Sequence, residues 1–275
     1  MKKTIAMVML LGSIAFGADS FKESVLKGYY EAEGYSAPGQ TRFAAMISAK
    51  VDAQRRLVEL IKGAKITSQT TIAKGMLQND IMVSKVNGII QGAKMTAREF
   101  DNSSGTAMVR LKIGYKELLK TGIQDEEFKD AFFDMAQTTE SEYAIPTVID
   151  VASKELDEYD LTASYDGLII DATSTNMEPA YINRIFSSGK IVYDPTKVPQ
   201  QVIVERGLAS YTVDINKAKA ILGTYGVKNP LIVKATSTTK LKSDVNIEQE
   251  IASLVVANNN KNGFLESAKI VFILK

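Results

Sequence analysis

The stretch QTRFAAMISAKVDAQRRLVELIKGA, residues 40–64, decides the fold of the chain around it. Apolar residues recur in it at spacings of three and four, which places them on one side of an amphipathic helix. These inward residues are Met46, Ala49, Ala53, Leu57 and Leu60. The outward side carries Lys50, Asp52, Gln54, Arg55 and Glu59. Because two inward residues are alanines, we expect another surface, and specifically a sheet, to approach the helix closely.

The flanks of this helix predict the sheet. Residues 29–36 and 65–74 alternate in polarity and are rich in residues that favour strands. A second helix begins at Asn79 or Asp80 and ends at Gly92, and its inward residues are Met82, Val86, Ile89 and Ile90. Two further strands, 94–100 and 107–113, are joined by a hairpin loop at residues 101–105. The order strand, helix, strand, helix, hairpin predicts a first α+β domain over residues 25–120.

Residues 121–164 are predicted to be a helical and irregular linker. Asp125 can cap a short helix with an apolar stripe, and Pro146 interrupts the acidic segment that follows. The aromatic residues here suggest a site for a neighbouring subunit, because aromatic side chains dominate many interfaces. The candidates are Phe128, Phe132, Phe133 and Tyr143. The alternative is that the rings are buried between the two domains.

Residues 165–275 are predicted to form a second small α+β domain of sheet and helices. Short apolar or β-branched runs predict strands near residues 168–170, 184–186, 190–193, 202–204, 209–213 and 231–235. Asp214 is expected to cap one helix, and the spacing from Ile247 to Asn258 predicts another. Residues 268–274 are continuously apolar, which indicates a strand inside the sheet and not at its edge.

Residues 1–17 have the pattern of a signal peptide. Lys2 and Lys3 precede an apolar run at residues 5–16, and Gly17 and Ala18 suit cleavage between them. The run is short for a membrane span, which needs about 20 residues. We therefore expect a periplasmic protein without a transmembrane segment in the mature chain. No cysteine follows the run, so no lipid anchor is expected there.

Composition narrows the possible chemistry. The chain has no cysteine and no histidine, so it lacks thiolate ligands and the commonest general base and metal ligand. Its formal net charge is +1, and loss of Lys2 and Lys3 would leave −1, which argues against nucleic acid as a partner. We expect no cofactor, no metal and no catalytic residue.

Two acidic motifs are considered and rejected as sites. Asp166 and Asp171 flank a predicted strand, and five residues of extended chain separate them by about 16 Å on opposite faces. They are therefore too far apart to share a proton or a metal. The loop DNSSG at residues 101–105 lacks the spaced carboxylates that calcium requires, so a plain hairpin turn is expected.

Two sets of residues resemble a bacterial family of outer-membrane-associated proteins related to FlgP and to the N-terminal part of FlgT. The first set is Gly34, Ala44, Ala45, Ala49, Ala53, QRRL (54–57), ELIKG (59–63), the strand at 66–71 and VNGIIQGAK (86–94). The second set is YDGLIIDA (165–172), NPLIVKA (229–235) and NGFL (262–265). The resemblance implies that the first domain is SHS2-like.

The resemblance also implies a scaffold function. Members of this family build or stabilise rings and disks around the flagellar motor, so the chain is expected to be an oligomeric periplasmic protein of such an assembly. Because FlgP-like proteins carry a lipidated cysteine and this chain has none, a FlgQ-like soluble companion of a FlgP-like lipoprotein fits best. The alternatives are an envelope module that contacts peptidoglycan or an outer-membrane lipoprotein and, third, a hydrolase that uses carboxylates alone.

Overall fold

A computed structural model describes residues 18–136, Leu156 and residues 159–275. The predicted signal peptide at residues 1–17 and, within the predicted linker, residues 137–155, 157 and 158, including Tyr143, lie outside the described residues. The described chain is α+β, as predicted, with two sheet-plus-helix regions. We refer to residues 21–134 as the N-terminal domain and to residues 167–275 as the C-terminal domain.

The N-terminal domain is a three-stranded antiparallel sheet with helices around it. Its strands are β1 (Tyr29–Tyr35), β4 (Lys94–Asp101) and β5 (Thr106–Gly114), in the order β1-β5-β4. A short β2 (Lys65–Thr67) pairs with β3 (Thr70–Thr71) in a separate ladder. The helices are α1 (Ala18–Lys27), α2 (Arg42–Lys62), α3 (Ile72–Gln78), α4 (Asp80–Gln91), α5 (Glu117–Gly122) and α6 (Glu126–Asp134).

Helix α2 packs on the sheet through its alanines, as the sequence predicts. Ala49 and Ala53 are fully buried, and Gly34 of β1 lies directly against them. A Cβ atom at Gly34 would lie 2.1 Å from the backbone nitrogen of Ala53 and 2.2 Å from the backbone oxygen of Ala49. Small residues on both elements therefore set the distance between helix and sheet. Thr41 caps the start of α2 by accepting a hydrogen bond from the Ala44 amide.

The single strand predicted for residues 65–74 is wrong. The chain turns at Ser68 and Gln69, and Ile72 already belongs to α3. The Thr71 side chain caps α3 by accepting from the amide of Lys74, so a threonine that suits a strand here begins a helix. After β5 the chain turns directly into α5, which begins at Glu117. The helix predicted to end at Gly92 and the 94–113 hairpin are both confirmed.

The C-terminal domain contains a four-stranded parallel sheet. Its strands are β6 (Gly167–Asp171), β9 (Ser210–Thr212), β10 (Pro230–Lys234) and β13 (Ile270–Ile273), in the order β10-β6-β13-β9. The prediction that the strand at residues 268–274 lies inside the sheet is therefore confirmed. All four residues of β13 and the first four of β6 are buried, as expected where both faces of a parallel sheet are covered.

A second, smaller sheet completes this domain. It has the order β11-β12-β7-β8, with β7 (Ile185–Ser187), β8 (Lys190–Tyr193), β11 (Ser237–Thr238) and β12 (Val245–Asn246). The helices are α7 (Gln200–Arg206), α8 (Ile215–Thr224) and α9 (Gln249–Asn262). The extended segment predicted at residues 202–204 is wrong. Three β-branched residues favour a strand, but they lie in α7. Pro199 precedes this helix, and Gly207, with a φ of 74°, ends it.

The two domains share one hydrophobic core. A single buried cluster includes side chains from both, among them Phe21, Tyr30, Phe132, Tyr181 and Leu208. The backbones also meet, because the amides of Tyr181 and Ile182 each donate to a carbonyl of β2 at 2.8 Å. Among the described helices, none has the length and apolar character that crossing a membrane requires.

Candidate functional site

The predicted aromatic site lies largely inside the protein. Phe128 and Phe132 on α6 are fully buried, and Phe133 is partly buried against the same core. The Phe132 ring stands edge-on to Tyr181 of the C-terminal region, with centroids 5.9 Å apart. Phe132 thus joins the two domains, and neither Phe128 nor Phe132 offers ring surface to another molecule. A contact between Phe133 and a neighbouring subunit stays a prediction, and Tyr143 is outside the described residues.

Buried tyrosines link the two domains by hydrogen bonds. The hydroxyl of Tyr181 donates to the Tyr115 carbonyl at 2.6 Å, so the Tyr30 hydroxyl, 3.2 Å away, is the donor to Tyr181. Tyr115 in turn donates its hydroxyl to the carbonyl of Ala209 at 2.8 Å. Burial raises the pKa of all three phenols well above their usual range. These hydroxyls therefore stay neutral and hold the domains together.

Lys116 and Ser210 form a pair that sequence spacing could not reveal. Lys116 Nζ lies 2.9 Å from Ser210 Oγ and 3.4 Å from the Tyr225 hydroxyl. A lysine beside a serine is one way to activate a nucleophile. Here, however, Lys116 also donates to the Arg206 carbonyl at 2.7 Å, so the three partners account for its three donors. Burial lowers the pKa of Lys116, as activation of a serine would require. Ser210 is itself buried, however, so it is not accessible to a substrate. We interpret the group as a clamp between the domains.

A charged cluster is buried in the C-terminal domain. Arg184 Nε is 3.5 Å from Asp194 Oδ1, and the Asp244 carboxylate accepts from the Arg184 amide at 2.9 Å. Arg184 Nη2 donates to the Ala136 carbonyl at 2.7 Å, which ties the cluster to the segment that follows α6. Burial raises the pKa of Asp244 to about 6. Because all three side chains are buried, the cluster has no surface on which to bind a ligand.

The acidic side chains at residues 101, 166 and 171 make hydrogen bonds at the ends of loops. Asp166 accepts hydrogen bonds from the amides of Lys228 and Asn229, and Asp171 accepts from Thr173, so each carboxylate serves its own loop. Asp101 accepts from Ser103 and Ser104 within the hairpin loop. Hydrogen bonds from these two serines lower the pKa of Asp101 to about 2. Over the described ranges, no group of three acidic side chains is close enough to hold a metal ion.

An open groove of about 410 Å³ lies where α4 ends beside the sheet. Its lining is Gly88, Ile89, Gly92, Lys94, Lys112, Ile113, Gly114, Glu117 and Thr121. Lys94 and Lys112 are direct cross-strand neighbours, and the ammonium group of Lys112 lies 3.3 Å from the centroid of the Tyr29 ring. The groove combines two cations, one carboxylate and exposed backbone, and the Thr121 hydroxyl donates to Glu117 Oε1 at 3.3 Å.

The outer face of α2 carries three exposed apolar side chains in a line. Phe43 is 78% exposed, Ile47 49% and Val51 58%. Each lies two residues before a buried alanine of the same helix, and two residues correspond to about 200° of rotation. The three side chains therefore point away from the sheet, one helical turn apart. We call Phe43, Ile47 and Val51 the α2 ridge.

The sequence contained the signal for the α2 ridge. Phe43, Ile47 and Val51 are spaced four residues apart, which is itself a helical apolar stripe. The stronger inward stripe predicts a simple amphipathic helix whose remaining surface is charged. That interpretation does not include the second, opposite apolar line, which is the ridge.

Part of the chain matches a family of known proteins. Residues 167–275 match the family model for the second domain of Tp0624 from Treponema pallidum. That span covers the C-terminal domain from β6 to β13 and leaves the α2 ridge outside it. No curated protein matches the chain. The C-terminal domain is thus similar to a spirochete protein family, and the resemblance to FlgP and FlgT stays a prediction.

Proposed function

We propose that this protein is a structural component of a bacterial envelope assembly, which acts by binding neighbouring proteins through the α2 ridge. The observation that carries the proposal is the exposure of Phe43, Ile47 and Val51 in one line on a helix that is already packed by its other side. Single exposed apolar residues are normal on protein surfaces, but an i, i+4, i+8 line is the pattern that helices use in apolar grooves.

Energetics favour a function for the ridge. Fully burying a side chain of this kind contributes about 1.5–3 kcal/mol relative to leaving it exposed. The helix needs none of the three for its own fold, because its packing uses Ala45, Ala49, Ala53, Leu57 and Ile61. Polar residues at the ridge would serve folding equally well and solubility better. A contact with another protein gives these side chains a purpose that the isolated chain does not.

The flagellar motor is the assembly that we propose. Support comes from the signal-peptide pattern of residues 1–17, which directs export to the periplasm, and from the resemblance of residues 34–94 to FlgP and FlgT. In this proposal the protein is a FlgQ-like soluble companion of a FlgP-like lipoprotein and stabilises a ring or disk near the outer membrane. The proposal assigns it no enzymatic activity and no cofactor.

A second candidate is a non-flagellar envelope module that contacts peptidoglycan or an outer-membrane lipoprotein. The observation that favours it is the similarity of the C-terminal domain to the second domain of Tp0624, a match that leaves residues 34–94, with their resemblance to FlgP and FlgT, outside it. Both candidates use the same ridge and the same compartment. They differ in the partner and in the phenotype of a strain that lacks the protein.

The ridge is tested by substitution. We expect Phe43→Ser combined with Ile47→Ser to abolish co-purification with envelope proteins while the melting temperature changes little, since both side chains are exposed. The matched control is Leu77→Ser on α3, where an isolated leucine is 89% exposed. Equal co-purification by the ridge variant and the wild type would contradict the proposed binding surface.

The flagellar assignment is tested in cells. We expect a deletion strain to lose motility, and imaging of its motors to show a missing periplasmic density that the wild-type gene restores and the ridge variant does not. Normal swimming with intact motors would overturn the flagellar proposal. In that case altered sensitivity of the strain to envelope stress would support the second candidate.

A further inference from the structure

The open groove beside α4 contains two lysines that face each other across the sheet. Lys94 of β4 and Lys112 of β5 are direct cross-strand neighbours, and like charges at such positions are destabilising. Within the described residues, neither ammonium group has a carboxylate within 4 Å. Lys112 is held instead over the Tyr29 ring, with Nζ 3.3 Å from the ring centroid. An anionic group bound between the two lysines would offset their repulsion.

The same groove also has a negative part. Glu117, at the start of α5, is exposed and has no cation within 4 Å in the described ranges of the chain. The Thr121 hydroxyl donates to its Oε1, which leaves Oε2 to accept from another molecule. Gly92, at which α4 ends, also lines the groove, and the C-terminal end of a helix has a partial negative charge. The groove therefore presents charges of both signs that do not pair with each other.

Three glycines line the groove although the fold does not require glycine there. None of Gly88, Gly92 and Gly114 has a positive φ, and a Cβ atom at each would meet no atom closer than 3.4 Å. Most of the other described glycines have a positive φ or lie less than 3 Å from an atom that a Cβ would meet. Gly88 even disfavours its own helix. All three are exposed, and glycine allows the backbone to approach a ligand closely.

The size and charges of the groove fit a small ligand with charges of both signs. Its volume of about 410 Å³ lies within the range of about 300–1,000 Å³ that is typical of small-molecule sites. A phosphate ion would pair with the lysines but would be repelled by Glu117 and by the end of α4. A short peptide with carboxylates in one part and a free amine in another would pair with both parts of the groove. The peptide stems of bacterial peptidoglycan have this chemistry.

We propose that this groove binds the peptide stem of peptidoglycan. Lys94 and Lys112 bind its carboxylates, Glu117 accepts from its amine, and the exposed glycines let the peptide lie against the backbone. The inference rests on the second candidate function, because it names the surface and the ligand for a contact with peptidoglycan. The groove shares no residue with the α2 ridge, so the two surfaces can be changed separately.

Calorimetric titration of the full-length chain with the soluble tripeptide alanyl-γ-glutamyl-diaminopimelate tests the proposal. We expect saturable binding that is several-fold weaker in Lys94→Gln and in Lys112→Gln and is lost when both are changed, because one exposed ion pair contributes little alone. Lys50→Gln, on the exposed side of α2, is the matched control and should bind like the wild type. The absence of saturable binding, or an equal loss in Lys50→Gln, would overturn the proposal.

Modified peptides show which part of the ligand each residue holds. A peptide with amidated carboxylates should bind the wild type and Lys94→Gln equally weakly. Acetylation of the amines should weaken binding to the wild type several-fold but should not further weaken binding to Glu117→Gln. Inorganic phosphate is the probe for a simple anion site. If phosphate binds as tightly as the tripeptide and displaces it, the groove selects only an anion and the proposal is wrong.

The glycines have a test of their own. Gly88→Leu should weaken binding of the tripeptide at least several-fold, because a side chain there reduces the space in the groove. Gly223→Leu on α8 is the control, since both positions are exposed and leave open space where a Cβ would lie. Both variants should keep the circular dichroism of the wild type. Equal binding by the two variants would contradict the proposed site.

The two proposals fail in different ways. If the tripeptide binds as expected while Phe43→Ser with Ile47→Ser still co-purifies with envelope proteins, the groove is supported and the α2 ridge is not the protein-binding surface. If the ridge variant loses those proteins and the wild type does not bind the tripeptide, the ridge is supported and the groove proposal is wrong.

Discussion

The antiparallel sheet of the N-terminal domain and the parallel sheet of the C-terminal domain expose their strands very differently. Six of the eight residues of β4 are exposed, whereas every residue of β13 is buried. A parallel sheet needs cover on both faces, so the C-terminal domain uses its apolar strands for its own core. The N-terminal domain leaves one strand and one helix face to solvent. We therefore expect its contacts with other proteins to come mainly from the N-terminal domain.

The exposed strand is protected in a way that the α2 ridge is not. Edge strands attract other strands, and proteins commonly prevent this with charged residues and bulges. Strand β4 has both, because Lys94, Arg98 and Glu99 are exposed and its register shifts between Met95 and Ala97. The ridge, in contrast, presents three apolar side chains. The comparison points to the helix face, and not the strand edge, as the binding surface.

The largest expected effect comes from closing the gap between β1 and α2. Gly34→Ala would place a methyl carbon about 2 Å from backbone atoms of α2. Because backbone atoms cannot move away as a side chain can, we expect a loss of more than about 3 kcal/mol in the free energy of unfolding. Urea denaturation measures it. Gly88→Ala, where a Cβ meets no atom within 4 Å, is the control.

The same variant also tests whether the two domains unfold together. If the C-terminal domain keeps its own structure when β1 and α2 are forced apart, limited proteolysis should leave a fragment that covers residues 167–275. A cooperative loss of both domains is what we expect, because the buried core is continuous across them. A stable C-terminal fragment would contradict that view.

The next largest effect concerns the aromatic contact between the domains. Phe132→Ala removes a fully buried ring that touches Tyr181, and we expect a loss of about 3–5 kcal/mol in the free energy of unfolding. Phe133→Ala should cost clearly less because that ring is only partly buried. Chemical denaturation of both variants is the measurement. A larger loss from Phe133→Ala would indicate that the assignment of the two rings is reversed.

The burial of the Phe132 ring shows how far sequence could go. The spacing of Phe128 and Phe132 predicted the inward stripe of α6, and Asp125 correctly predicted the helix start. What lies opposite the stripe depends on Tyr181, about fifty residues away, and no local pattern connects them. The sequence alone therefore does not decide between a docking site for another subunit and burial of these rings between the domains. The position of the second domain against α6 shows that Phe132 is buried.

A pH effect should distinguish the C-terminal domain. The pKa of Asp244 is raised from 3.8 to about 6 by burial, so the folded protein keeps this proton at a pH where the unfolded chain releases it. Stability from this group is full below about pH 4 and is lost as pH rises to about 6. The loss is on the order of 3 kcal/mol.

Asp244→Asn is the matching variant. It keeps an oxygen that can accept from the Arg184 amide but cannot ionise. Between about pH 4 and pH 6, the urea midpoint of the wild type should fall because Asp244 ionises. The urea midpoint of the variant should lack this fall. Parallel curves for the two proteins would contradict the assignment of the raised pKa to Asp244.

The smallest effect concerns glycines inside helices. Gly88 in α4 and Gly223 in α8 both have open space where a Cβ atom would lie. Changing either to alanine should stabilise the protein by about 0.5–1 kcal/mol, because glycine is a poor helix former. Thermal denaturation measures both. The two variants should behave alike; if only Gly223→Ala stabilises, the open groove beside Gly88 has a structural role.

Sequence predicted the elements better than the sites. Helix α2 and its alanine contact could be predicted, because periodicity and side-chain size are local properties. The switch from strand to helix at Ile72 could not be seen, because Thr71 suits a strand and a helix cap equally. The contact between Lys116 and Ser210 could not be predicted from the sequence either. Those two residues lie 94 positions apart, and only the packing of the domains joins them.

The tyrosines at the domain boundary make the protein its own spectroscopic probe. The chain has 11 tyrosines and no tryptophan, so its near-ultraviolet absorbance and fluorescence come mainly from tyrosine. Three of those phenols, at positions 30, 115 and 181, are buried where the domains meet. Separation of the domains would bring them into water and make them titratable by alkali. An observer could therefore follow that opening optically, with no dye attached.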